Sequence, residues 1–195
     1  LESIYDHRGD TDGRIAILEQ QREQADAEEQ ANTYRMLLAQ LYWEEKHDRD
    51  RAEALLEATL QHNPDHEGAH RLMADLHADE KEYEPAAEHL STALEIAGDG
   101  LDALELERRL AYLYLDHLDE PASAAEHFGA VLDDAPGDSR AIEGRKLAQS
   151  DLGDWPGYLE TLRHELAVQL GESDPVNFDD LDTDFGDEGL RVTIS

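Results

Sequence analysis

One phrase of five residues returns along this chain at intervals too regular for coincidence. Leu1-Glu2-Ser3-Ile4-Tyr5, Leu38-Ala39-Gln40-Leu41-Tyr42, Met73-Ala74-Asp75-Leu76-His77 and Leu110-Ala111-Tyr112-Leu113-Tyr114 are four versions of it, with closing residues 37, 35 and 37 positions apart. A weaker fifth copy, Arg145-Lys146-Leu147-Ala148-Gln149, closes 35 positions later. The alternation implies a superperiod of 72, and other residues keep it: Ala52, Leu56, Leu60 and Pro64 map onto Ala124, Phe128, Leu132 and Pro136. Leu18, Leu90 and Leu162 coincide in the same way. A fixed period of this size restricts the chain to an array of like units, each covering the apolar face of the next.

Within a unit the apolar spacing is helical. Leu104, Leu110, Ala111, Leu113 and Tyr114 mark one face of a first helix, at helical spacing. Leu118-Asp119-Glu120-Pro121 then turns the chain, and Pro121 opens a second helix where its missing N–H costs nothing. Ala124, Ala125, Phe128, Val131 and Leu132 form the inner face of that helix. Ala135-Pro136-Gly137-Asp138 ends it, and Asp138 or Ser139 is placed to cap the next. The spacing predicts a partial hairpin at 1–25 and hairpins at 29–62, 66–97, 101–134 and 138–170. The expected architecture is all-α, an α-solenoid of stacked antiparallel helical hairpins over 1–171, with a non-repeat acidic C-terminal tail or linker at 172–195. Leu1 falls inside a first helix, so the sequence is read as a piece of a longer array with an uncovered N-terminal hairpin.

The Leu-Ala-x-x-Tyr phrase, the later small residue followed by a large apolar one, and the closing proline together resemble the tetratricopeptide repeat. The alternating turns are similar to those of long bacterial arrays of that family. The resemblance implies a non-catalytic scaffold for protein–protein interaction, with first helices lining a concave groove. It places Met36, Gln40, Trp43, Arg71, Asp75, Arg108, Tyr112, Leu115 and Arg140 on that face, as an apolar strip beside a row of cations. The Lys and Asn of carboxylate-gripping members are replaced at the matching positions by Met36 and Gln40, Arg71 and Asp75, and Arg108 and Tyr112.

Charge narrows the partners. The 48 acidic and 16 basic residues give a formal net charge of −32, which opposes nucleic-acid phosphates and anionic membrane surfaces. A protein or peptide partner is expected, and the acidity also serves solubility. The absence of cysteine removes thiolate metal sites and disulfides and agrees with a cytoplasmic setting. No run of about 18 apolar residues is present to span a membrane. Glycine-rich phosphate loops and nucleophile elbows are missing too, so no enzyme and no cofactor is expected. His66 and His70 form an i, i+4 pair and are the one weak metal candidate. They belong to the alternative reading, a metal- or ligand-binding helical domain serving an enzyme assembly; a self-assembly module is a third. The stretch from Glu172 to Ser195 disperses Phe178, Phe185 and other apolar residues among eight acids. It reads as a solvated linker, as a segment docking into the groove through Phe178 or Phe185, or as the start of a strand at 190–194.

Overall fold

The computed structural model describes residues 11–98, 100–171, 181–186 and 189–194, the last two stretches as backbone only. Helices fill the first two stretches. They are α1 (Thr11–Glu23), α2 (Glu28–Glu44), α3 (Arg49–His62), α4 (Glu67–Asp79), α5 (Tyr83–Ala97), α6 (Leu101–Asp116), α7 (Pro121–Asp134), α8 (Ser139–Leu152) and α9 (Trp155–Leu170). Between residues 11 and 171 the described residues include no strand. Beyond them, β1 (Leu181–Gly186) and β2 (Gly189–Ile194) pair antiparallel, with Leu181 opposite Ile194 and Gly186 opposite Gly189. The chain divides into two compact units, Leu1–Leu106 and Glu107–Ser195.

The starts of the helices are legible as local chemistry. Asp138 accepts hydrogen bonds from the N–H groups of Arg140 at 3.0 Å and Ala141 at 3.1 Å, and Pro121 opens α7. Asp48 caps α3 through the N–H of Arg51, and His66 caps α4 by accepting from the N–H of Ala69 through Nδ1.

The turn inside each hairpin is built from the last residue of the repeating phrase. The N–H of Asp48 donates to the carbonyl of Tyr42, Glu82 to His77, Glu120 to Tyr114 and Asp154 to Gln149, all at 2.8–3.0 Å. Such bonds, reaching back from beyond the helix end into its last turns, go with a left-handed residue just before the donor. That residue is His47, Lys81, Asp119 or Gly153, with φ of 52°, 64°, 54° and 68°. The bonds span six, five, six and five residues; the longer turns fall within the 35-residue intervals, so the uneven 37/35 spacing is set elsewhere in the hairpins. Three of the four positions carry a side chain that the left-handed region disfavours. Lys81→Gly therefore removes strain from an exposed position, and it is expected to raise the unfolding free energy by up to about 1 kcal/mol. Urea melts of the two chains check it, and a loss of stability would refute the turn assignment.

In Leu1–Leu106 the core is one cluster. Ile15 and Leu18 from α1, Leu38, Ala39, Leu41 and Tyr42 from α2, Ala52 and Leu56 from α3, and Ala69, Met73 and Leu76 from α4 make it. In Glu107–Ser195 the fully buried side chains include Leu110, Ala111, Ala124, Phe128, Val131, Ala141 and Ala148. Positions 72 apart meet like surroundings: Ala39 and Ala111, Ala52 and Ala124, and Leu56 and Phe128 are all sealed from solvent. Small residues at these sites let helices approach closely, so the period is a packing rule.

Candidate protein-binding face

On α2 the i, i+4, i+7 series Met36, Gln40 and Trp43 lies along one side of the helix. Gln40 is exposed and donates to Glu44 at 3.0 Å. Met36 and Trp43 are partly buried, each packed against the core cluster. The methyl of Met36 reaches α4, 3.7 Å from where a side chain on Gly68 would begin. On α4, Arg71 and Asp75 are half-buried and Asp79 is exposed. Within Leu1–Leu106 these residues leave an apolar pair partly open to solvent, bordered by polar groups.

The arginines are tethered. Arg71 lies 3.3 Å from Glu67 one turn back and 3.9 Å from the carboxylate of Asp102 at the start of α6. Arg108 makes the closer version of the same contact, 2.6 Å to Asp138, the cap of α8. Each joins a first helix to the beginning of the next one, about thirty residues on. Burial pushes the Asp138 carboxyl up, but the N–H of Ala141 and the Arg108 guanidinium outweigh it and hold the group below the usual carboxylate range. Tyr112 has a tether of its own, donating from its hydroxyl to the carbonyl of Arg140 at 3.3 Å and meeting Phe128 edge-on at 5.0 Å. Leu115 is half-buried, whereas Arg140 is exposed. Sequence spacing located these side chains on first helices but did not reveal that the two arginines hold successive units together. The signal available was an acid at the start of the next helix: Asp102 for Arg71, Asp138 for Arg108.

The histidines form a hydrogen-bonded cluster in Leu1–Leu106. His70 Nε2 lies 2.9 Å from the carbonyl of Pro64, and its Nδ1 lies 2.9 Å from Nδ1 of His89 on α5. A carbonyl can only accept, so neutral His70 carries its proton on Nε2 and accepts at Nδ1 from His89. His77, in the last position of its phrase, stacks on His89 at 5.5 Å and donates from Nδ1 to Glu82 at 2.7 Å. Glu82 also receives Arg49, a hydrogen bond that with His77 keeps its carboxyl below the ordinary range. His89 is depressed to about 4, first by burial and then by the nearby His70 and His77. The i, i+4 pair His66 and His70 is thus engaged piecemeal, His66 at the helix cap and His70 at Pro64 and His89. Among the described residues no three His, Asp or Glu side chains gather as metal ligands would.

A cleft of about 580 Å³ opens beside Glu28, Glu29, Asn32, His62, Asp65 and Glu67. Glu28, Glu29 and Glu67 stand in the first turns of α2 and α4, where negative charge offsets the helix dipole. Of the tail residues singled out by sequence, Phe178 lies outside the described residues. Phe185 is described only as backbone within β1.

Among the described residues no helix is long and apolar enough to cross a membrane. Residues 44–110 match the family model of the tetratricopeptide repeat. No curated protein matches this sequence. Among solved structures the fold is similar to that of MamA, with a TM-score of 0.64 at 16% identity over 88% of this chain and 95% of that one. A tetratricopeptide repeat protein from Parabacteroides merdae gives 0.66 at 16% identity, covering 88% of this chain and 65% of that one. A Podosopora anserina putative kinesin light chain with nearly identical TPR-like repeats gives 0.59 at 18% identity, over 87% and 92%. At these identities the likeness speaks for the fold, a solenoid of helical hairpins.

Proposed function

Residues 44–110 carry tetratricopeptide repeat sequence, and from that premise we propose that the chain is a non-catalytic scaffold that binds a peptide or protein along its first helices. The cytoplasmic setting expected from its composition goes with that reading. Repeats of this family are generally non-catalytic scaffolds, because stacking leaves one face of each first helix free for a partner. The observation that supports the reading best is the half-open pair Met36 and Trp43 flanking exposed Gln40. Aromatic and methionine side chains partly withdrawn from water are the usual anchors of an interface. Leu115 and exposed Arg140 serve the same role within Glu107–Ser195, while Arg71 and Arg108 first hold the array in shape. We propose further that 1–171 acts as the repeat array and 172–195 as its appendage.

The test uses exposed positions, so that loss of binding is separable from loss of fold. Gln40→Lys and Asp79→Lys are expected to keep the helical circular dichroism and melting temperature. Each should reduce partner recovery at least about tenfold in quantitative pull-downs, through like-charge or steric exclusion. Undiminished recovery by both folded variants sinks the assignment of this face.

A further inference from the structure

Glu29, Thr33, Met36, Gln40 and Trp43 follow one another along α2 at intervals of four and three, so they share one side of the helix. The cleft of about 580 Å³ opens at the N-terminal end of this line, between the starts of α2 and α4. Gly68 is part of its wall and contributes no side chain to fill it. Two of its four acids are already answered: Glu28 by Arg35 at 2.6 Å and Glu67 by Arg71 at 3.3 Å. Glu29 and Asp65 are exposed, and among the described residues their carboxylates meet no cation. The two helix starts together supply about one positive charge, so a net negative charge remains. Asn32 adds an observation of a different kind. It is 5% exposed, its side-chain oxygen accepts from Arg35, and its amide nitrogen donates to no group among the described residues. A buried amide without an acceptor is costly, and this one lines the cleft. Helix dipoles account for glutamates in the first turns, but not for an amide on the same wall in want of an acceptor.

We propose that this cleft receives a lysine or arginine side chain of a partner peptide, whose main-chain carbonyl accepts from the Asn32 amide. This occupant rests on the reading of the first helices as a partner-binding face and adds the chemistry of one end of it. A basic residue brings a cation for Glu29 and Asp65 and, a few bonds back, the carbonyl that the Asn32 amide needs. An acidic residue is repelled by the two carboxylates, and an apolar one leaves them unanswered. The net charge of −32 favours a basic peptide over the longer range as well. From the cleft the peptide continues toward Met36 and Trp43 along the same side of α2.

The full chain, isotope-labelled for NMR, is titrated with two probes too short to reach Gln40: acetyl-lysine methylamide and its norleucine counterpart. The lysine probe is expected to shift the side-chain amide signal of Asn32 saturably. Its affinity should exceed that of the norleucine probe at least about threefold at low salt, the two converging as salt is added. Glu29→Gln combined with Asp65→Asn, both at exposed positions, should weaken the lysine probe about threefold or more. Asp133→Asn combined with Asp134→Asn removes as much charge from exposed positions of α7 and should leave its affinity unchanged. Equal affinity of the two probes, or equal loss from both pairs of substitutions, overturns the proposal. The Glu29→Gln, Asp65→Asn chain also enters the partner pull-downs beside Gln40→Lys. Loss of recovery in Gln40→Lys alone sinks the cleft and leaves the face standing, whereas loss in the cleft variant alone does the reverse.

Discussion

Phe128→Ala is expected to lower the unfolding free energy by about 4 kcal/mol, the range for deleting a fully buried phenylalanine ring. Phe128 is 0% exposed and fills the space between α7 and α8 because α8 offers it a glycine. A Cβ on Gly144 would sit 2.3 Å from Phe128 Cζ and 2.6 Å from both Cε atoms, inside the closest approach carbon atoms tolerate. Gly144→Ala sets two effects against each other. Alanine improves the helix by about 1 kcal/mol, while overpacking a sealed core costs about 1–3 kcal/mol. The ring cannot swing into solvent, and Tyr112 braces its edge, so the clash is expected to win. In the Phe128→Ala background the clash disappears and Gly144→Ala should become stabilising. That reversal of sign, read from urea melts of the two single variants and the double variant, isolates the contact. If Gly144→Ala stabilises the unaltered chain, the close approach of α8 to Phe128 is wrong.

Mild acid should cost Leu1–Leu106 stability through His89. Its folded pKa of about 4 lies below the ordinary 6.5, so the unfolded chain binds the proton more readily. The contribution is fully present above pH 6.5 and is lost as pH falls from there through about 4. The full shift would correspond to about 3 kcal/mol, and solvent reaching a half-buried ring reduces that to about 1–2 kcal/mol. The geometry explains the direction. His89 faces His70 through one shared proton and lies flat against His77, with Glu82 and Arg49 behind His77. A second charge among these rings meets a like charge rather than a carboxylate. His89→Asn keeps a donor without a titrating ring, and its melting temperature between pH 7 and 5 should fall less than that of the unaltered chain. Equal falls would remove His89 as the cause. The carboxylates held low by their partners, Glu28, Glu45, Glu82 and Asp138, lose their contributions only at lower pH, through the ordinary carboxylate range and below it.

Much of the fold was legible beforehand because its determinants are local or periodic. Pro121 and Asp138 stand at helix starts for reasons of backbone hydrogen bonding. The last residue of the repeating phrase has two jobs, lending its carbonyl to the turn and its side chain to the second helix. Tyr114 stacks on His127, His77 on His89, and Gln149 accepts from Thr161. The candidate face was legible only as a set of positions. Arg71 and Arg108 read as free cations in sequence because their partners lie 31 and 30 residues away. The His66–His70 spacing suggested a pair, whereas His70 turns to His89 on the neighbouring helix, 19 residues along the chain.

Sequence alone determined the helical hairpins, their period and the residues each must bury, because a side chain's face on a helix follows from its number. Which polar group meets which, that Gly144 makes room for Phe128, and that Trp155, Leu159 and Leu170 of α9 stay exposed were decided by tertiary structure. Those outcomes depend on distances between helices, and a period constrains orientation without setting how closely two neighbouring surfaces come together.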